Sequence, residues 1–288
     1  MTIFELVKTA LDRLYSEGIT QYGPSLDAEI AKRMSTLASA YGKLNTPVHV
    51  PIDYKDPATR FAYVYKYVTA HADYLVQVLQ QLRYERSGVV FDTGTIRVTC
   101  VGGGPGSDII GVLKYLDDYG VTEPVKSVVC YLLDKEHAWA DTWTEVKHSL
   151  KLDINVDSNF MPFDVTAPSS WQSQKNFLKA DLFTLSYFVS EVKSLDTNGQ
   201  VSKFWSTLFQ DAKIGALFVY IDNGHSDFTD YFDNHWEAES IECLIRSDNT
   251  RFTPRSSEQA SELGEYKTKF AQFPKLQGYL TYRVLRKN

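Results

Sequence analysis

Little in this 288-residue chain points to a covalent frame, a metal cluster or a membrane span. Cysteine occurs three times, at Cys100, Cys130 and Cys243. The three lie far apart and two sit inside apolar runs, which fits reduced core thiols and offers neither a disulfide frame nor zinc-ligand spacing. No apolar run approaches the roughly 18 residues that a membrane span needs. The start, MTIFELVKTALDRLYSEG, lacks the basic-then-apolar plan of a secretion signal. The expectation is a soluble, intracellular, cytoplasmic protein without a metal. Basic charge is scarce as well: 30 Lys and Arg face 36 Asp and Glu, a formal net charge of −6. Unspecific adhesion to nucleic acid needs clustered cations and is disfavoured, although a local basic groove stays compatible with the composition.

What is present divides the chain in two. Residues 1–90 are near neutral, with 10 basic and 9 acidic side chains, and they read as helical. Thr2 with Glu5 forms a capping box, Ile3, Val7, Ala10, Leu11 and Leu14 share a face, and Gly18 is placed to close that helix. A second helix is predicted over Leu26–Tyr41. After the looser stretch GKLNTPVHVPIDYK, Asp56 followed by Pro57 is a helix start. The apolar spacing from Phe61 to Leu82 predicts a long helix to about Arg86. Its other face carries Tyr63, Lys66, Tyr67, Tyr74 and Arg83. Those tyrosines are either a packing surface or a roof over a ligand pocket.

From Thr95 the pattern alternates. Apolar runs TIRVTCVG, KSVVCYLLD, FMPFDV, ADLFTLSYFV and GALFVYID are separated by segments of helical spacing or length, the signature of an α/β domain with a mainly parallel, doubly covered sheet. Two further runs, SIECLIRS and GYLTYRVLRKN, predict a final hairpin at the sheet edge. Between the first strand and its helix stand Gly102, Gly103, Gly104 and Gly106. Bare backbone there lets a ligand approach closely, next to the free N–H groups of a helix start.

The dinucleotide fingerprint needs glycine at its sixth position, which is Ser107 here. Counted by twos, Gly102, Gly104 and Gly106 give G-x-G-x-G, which resembles motif I of the class I S-adenosylmethionine-dependent methyltransferases. The resemblance extends over residues 95–288. It implies a Rossmann-like core: a mainly parallel seven-stranded sheet with a C-terminal antiparallel hairpin, here preceded by a helical N-terminal region. It implies S-adenosylmethionine as cofactor, held by Gly102, Gly103, Gly104 and Gly106. Asp134 at the end of the second strand, with Glu136 as second choice, would meet the ribose hydroxyls. Asp164 after the third strand would meet the adenine amino group, and Ser186 would line the pocket at the end of the fourth strand. The family commonly has an acidic residue two positions before the first loop glycine. Cys100 stands there, and Asp108, Arg60 or Tyr63 are the candidates to take over its role.

Open α/β sheets bind ligands at the carboxyl ends of their strands. Catalytic candidates are therefore Tyr187, Glu191 and His225, with Asp222 and Asn223 beside them. Each has a structural alternative: His225 as a solvated loop residue, Glu191 as a first-turn carboxylate, and Asp222 and Asn223 as turn closers. Trp139 and Trp143, four apart, either pack their helix or line the adenine side. His49, His71, His148 and His235 read as ordinary, and His137 as a helix start. The expected organisation is a helical cap over residues 1–90 and a catalytic domain over residues 91–288. The expected function is methyl transfer to an unidentified acceptor, a small molecule before RNA or protein. A non-catalytic cofactor-binding module and an NAD-dependent oxidoreductase are the readings from other classes.

Overall fold

In the computed structural model the described residues are 2–43, 52–86, 90–120, 124–255 and 264–288. Helix α1 (Ile3–Tyr22) opens on the predicted capping box, with Thr2 Oγ1 accepting from the Glu5 N–H and the Glu5 carboxylate accepting from the Thr2 N–H. It does not close at Gly18. The helix runs through that residue and ends at Gly23, whose φ is 52°. Gly18 is used differently, because a Cβ there would come within 2.6 Å of Leu26 Cδ1 on α2 (Leu26–Tyr41). Its missing side chain sets how closely the two helices approach.

Helix α3 (Pro57–Tyr63) starts where Asp56 and Pro57 predict. The Asp56 carboxylate accepts from the Ala58 N–H and the Thr59 hydroxyl, and also from Tyr22 Oη and Arg33 Nε, so one buried carboxylate joins three helices. The predicted single long helix is instead interrupted by a π-helical stretch at Val64–Val68 before α4 (Thr69–Glu85). Such stretches widen the helix locally and are frequent at functional sites. His49, and with it most of the looser stretch before Asp56, lies outside the described residues.

Seven strands form one sheet: β1 (Thr95–Val101), β2 (Ser127–Asp134), β3 (Asn155–Pro162), β4 (Leu182–Ser186), β5 (Leu217–Asn223), β6 (Ile241–Phe252) and β7 (Gly278–Lys287). Their order is β3-β2-β1-β4-β5-β7-β6, with β7 alone reversed. This is the expected Rossmann-like, mainly parallel sheet with a C-terminal antiparallel hairpin. One strand falls earlier than the sequence suggests: β3 spans 155–162, whereas the apolar run FMPFDV begins at 160. As an edge strand it alternates half-buried and exposed residues, so apolarity did not mark its start. Helices α5 (Ser107–Tyr119), α6 (Ala138–His148), α7 (Phe188–Val192), α8 (Gln200–Asp211) and α9 (Ser226–Trp236) follow strands, and α10 (Gly264–Phe270) precedes β7.

Alternation along the strands assigns each face. Leu182, Leu217, Val219 and Ile221 join the core beneath α1–α6, while Phe183, Leu185, Phe218 and Tyr220 join the core beneath α7–α9. On the first face α4 lies against α5, so closely that a Cβ on Gly111 would meet the Ala72 carbonyl oxygen at 2.7 Å. The helical first part thereby shares one apolar core with the sheet, with His71, early in α4, beside Tyr187 at the end of β4. Among the described residues no helix is long and apolar enough to cross a membrane.

Candidate functional site

The glycine loop leaves β1 and enters α5 with Gly102, Gly104 and Gly106 at φ 67°, 48° and 89°, values that disfavour any residue with a side chain. Three of its four glycines are required by the protein's own packing. A Cβ on Gly102 would lie 2.5 Å from Phe188, on Gly103 about 3.0 Å from Leu132, and on Gly106 2.5 Å from Trp143. Gly104 differs: the nearest atom to its Cβ position is Asp134 Oδ2 at 3.9 Å. The loop thus opens a space at Gly104, beside a carboxylate. Gly106→Ala tests the packing part: αL strain and the clash with Trp143 are each expected to contribute, about 2 kcal/mol in all, read as a lower urea midpoint at constant slope.

Asp134 ends β2 and is fixed from two sides, its Oδ2 accepting from the Gly104 N–H at 2.8 Å and its Oδ1 from the Glu136 N–H at 2.9 Å. Burial raises its carboxyl to about 6 against the pull of those two N–H groups. Two of its roughly four acceptor positions are thereby used, and the others remain for a ligand's hydroxyls. Asp108, in the first turn of α5, is 3% exposed and raised by burial. Thr184 and Ser186 flank it, yet no well-formed hydrogen bond reaches Asp108 Oδ1, Thr184 Oγ1 or Ser186 Oγ. Such groups are costly to bury without partners. The other candidates for the role of the missing acidic residue divide. Arg60 is committed to Glu17 and to the carbonyls of Tyr54 and Lys55, whereas the charges of Asp108, Asp134 and Glu191 all act on Tyr63.

At the end of β4, Tyr187 takes φ 58°, a strained conformation for a bulky residue. Its ring stacks on His71 at 4.0 Å, and its hydroxyl accepts from Lys275 Nζ at 3.1 Å. Burial lowers Lys275 to about 8, opposed by the charge of Asp222. Asp222 itself, fully buried at the end of β5 and raised by burial to about 6, accepts from the Ser190 and Asn223 N–H groups and so fixes the start of α7.

Glu191, on α7, receives a long hydrogen bond from Tyr41 Oη at 3.5 Å. Burial, and then the charges of Asp134 and Asp222, raise it to about 8. Above it the rings of Tyr41, Tyr54, Tyr63, Tyr67 and Trp139 form a continuous group with centroids 5.1–6.3 Å apart. Beyond burial, the charge of Glu191 raises Tyr41, Tyr54 and Tyr63, so these phenols face it. The arrangement sets an open backbone position beside partly buried carboxyls and a group of tyrosines.

Other predicted residues have different surroundings. The Asp164 carboxylate is held by Thr166 and by Lys135 Nζ at 2.8 Å, just beyond β3. His225 precedes α9, half exposed, with Nδ1 accepting from the Asp227 N–H. Trp143 packs under Gly106 and donates to Ser158, while Trp139 packs on Tyr54 and Tyr63. Sequence reading passed over His71, Tyr41, Tyr54 and Lys275. For His71 a signal existed: Tyr63, Tyr67, His71 and Tyr74 recur at helical spacing on one face. Lys275 approaches from the segment between α10 and β7, tied down where Tyr65 Oη donates to the Gln272 carbonyl and the Lys275 N–H donates to that of Lys66. Among the described residues no group of three or more His, Cys, Asp and Glu side chains is placed to hold a metal.

No protein-family model matches this chain, and no curated protein matches it. Solved structures do. An O-methyltransferase from Bacillus cereus in complex with SAH is 10% identical, with 96% of this chain and 100% of that one covered and a TM-score of 0.41. The N-methyltransferase NodS from Bradyrhizobium japonicum, in complex with S-adenosyl-L-homocysteine, is 8% identical over 73% of this chain and 85% of that one, with a TM-score of 0.40. The 16S rRNA methylase ArmA is 10% identical over 88% and 98%, with a TM-score of 0.41. At these values a likeness assigns no activity, and the side chains themselves must carry the functional reading.

Proposed function

We propose that this protein is an S-adenosylmethionine-dependent methyltransferase acting on a small molecule. The observation that carries the reading is the pairing of the open position at Gly104 with Asp134, which its N–H orients. The donor set suits the cofactor. Asp134 has acceptor positions left for two ribose hydroxyls, and Asp108 and Ser186, side by side without a well-formed hydrogen bond at Oδ1 or Oγ, would meet the amino-acid end. Asp108 answers the absence of a carboxylate at Cys100. When bound, the cofactor supplies a methyl group already activated by a positive sulfur.

The protein's part is then to orient and to exclude water. Tyr187, fixed by His71 and Lys275, forms one wall of the site beside the end of β4. Glu191 is the candidate base: its carboxyl, raised to about 8, holds a proton at neutral pH and serves as base once ionised. The tyrosines of α2 and α3 lie over the carboxylates and limit access, which favours a small acceptor over a polynucleotide. His225 and Asp164, occupied in local caps and pairs, are proposed as secondary, at the rim and the adenine side. The helical residues 1–90 are proposed as the cap of this site and residues 91–288 as the catalytic part.

Thermal unfolding with added S-adenosylhomocysteine tests the reading. A ligand at 100 times its Kd stabilises by about 2.7 kcal/mol, so an upward shift of several degrees is expected with S-adenosylhomocysteine and none with NAD. The reverse pattern would favour an oxidoreductase.

A further inference from the structure

Large apolar side chains that stand exposed are few among the described residues, yet three of them fall close together in sequence: Phe273 at 52%, Leu276 at 52% and Tyr279 at 57% exposure. Phe273 and Leu276 belong to the segment between α10 and β7, and Tyr279 to the start of β7. The backbone there is pinned, so these side chains cannot turn inward. Tyr65 Oη donates to the Gln272 carbonyl, the Lys275 N–H to that of Lys66, and the Gly224 N–H to that of Tyr279. The inward positions are already taken, since Pro274 and Leu280 are buried and Lys275 reaches in to the Tyr187 hydroxyl. Because Tyr187 ends β4 and Gly224 follows β5, the apolar row lies on the rim of the candidate site. Isolated exposed apolar residues are ordinary, whereas a row of them marks a surface that another body covers.

A second, independent feature says what kind of body. Lys267 Nζ stands 4.4 Å from the centre of the Phe273 ring, and Lys66 Nζ donates to the Phe273 carbonyl at 2.7 Å. Arg251, opposite Tyr279 in the β6–β7 register, donates to Gln277 Oε1 at 2.7 Å. All three cations spend their hydrogen bonds on neutral oxygens or lie over a ring, and among the described residues no carboxylate forms an ion pair with any of them. In a chain of net charge −6 this rim is therefore positive. The covering body must be negative and must accept apolar side chains. A second copy of this chain in a two-fold contact would set these cations against one another. A polynucleotide would stack on open ring faces, but one face of Phe273 is taken by Lys267 and Leu276 has none to offer. An anionic lipid surface meets both requirements, with acyl chains for the apolar row and phosphates for the cations.

We propose that this rim docks on an anionic membrane surface, with Phe273, Leu276 and Tyr279 entering the headgroup region and Lys66, Lys267 and Arg251 meeting lipid phosphates. The contact is peripheral, since no helix among the described residues is long and apolar enough to span a bilayer. It is independent of the methyltransferase reading, because none of the residues that would hold the cofactor takes part.

The test is co-sedimentation of the full-length protein with vesicles of phosphatidylcholine alone and with vesicles of equal parts phosphatidylcholine and phosphatidylglycerol. Binding to the anionic vesicles is expected to be at least about 10-fold stronger, and to weaken at roughly 0.5 M salt, where surface charge is screened. Lys267→Gln should weaken it about 5-fold, the loss expected for one cation near the headgroups. Phe273→Ser with Leu276→Ser should weaken it about 10-fold through lost apolar burial. Ile214→Ser removes an 80% exposed side chain before β5 and should change nothing. Each variant alters an exposed or half-exposed position, so its Tm should stay within about 2 °C of the wild type, which separates lost docking from lost folding. No binding, equal binding to both vesicles, or variants that bind as the wild type does would overturn the proposal. So would single-stranded RNA that binds, weakened by Lys267→Gln, where vesicles do not, since the rim would then serve a polynucleotide.

Discussion

Asp134→Ala is expected to weaken S-adenosylhomocysteine binding about 100-fold, near 3 kcal/mol, while leaving the protein folded. The size follows from what the carboxylate does. It is a partly buried, charged acceptor aligned by two backbone N–H groups, and hydrogen bonds to charged groups are the strong ones. The fold survives because two effects oppose each other. Removing a carboxylate that burial disfavours is stabilising, whereas leaving the Gly104 and Glu136 N–H groups without acceptors is destabilising. The unfolding free energy should therefore move by no more than about 1 kcal/mol. Asp134→Asn keeps an acceptor but not the charge and should fall between, at about 10-fold. Calorimetric titration of the three proteins checks the order, and undiminished affinity in Asp134→Ala would remove Asp134 from the site.

Between pH 6.5 and 8 the protein without ligand should lose about 2 kcal/mol of unfolding free energy, roughly 5 °C in Tm, through Glu191. The groups facing that carboxyl are Tyr41 from α2, Tyr54 from just before α3, Tyr63 from the end of α3, Asp134 from β2 and Asp222 from β5. Burial and the two carboxylates raise Glu191 from its ordinary 4.5 to about 8. In this window the unfolded chain has already released the proton that the folded one still holds, so stability falls as pH rises toward the folded value. Asp134 and Asp222, raised to about 6, make the same loss mostly below the window. His71 acts oppositely but below its ordinary 6.5, and Lys275, lowered to about 8, acts oppositely only above 8. Glu191→Gln should flatten the profile. A wild-type Tm that is level or rising across the window would contradict the raised carboxyl described for Glu191.

The sequence was most legible where the deciding contacts are local. The capping box of Thr2 with Glu5, the Asp56–Pro57 start and the strand–glycine–helix unit around Gly104 depend on neighbours a few residues away, and they stand as read. Gly18 did not, because the contact that needs a glycine there comes from Leu26 on another helix. The π-helical stretch within Val64–Val68 likewise leaves no mark in apolar spacing. At the site, Asp134 and Glu191 could be found from their positions after β2 and β4. The tyrosine group could be seen only as an alternative to plain packing, since what distinguishes the two is which carboxylates the rings face. Lys275 was out of reach, because it meets Tyr187 across 88 residues of sequence through a segment with no regular structure of its own.

The central claim is that the cradle at Gly104 with Asp134 holds S-adenosylmethionine, and direct calorimetric titration of the purified protein tests it most closely. The account predicts saturable binding of S-adenosylmethionine and S-adenosylhomocysteine, and no heat from NAD under the same conditions. Binding of NAD, or of none of the three, would contradict it.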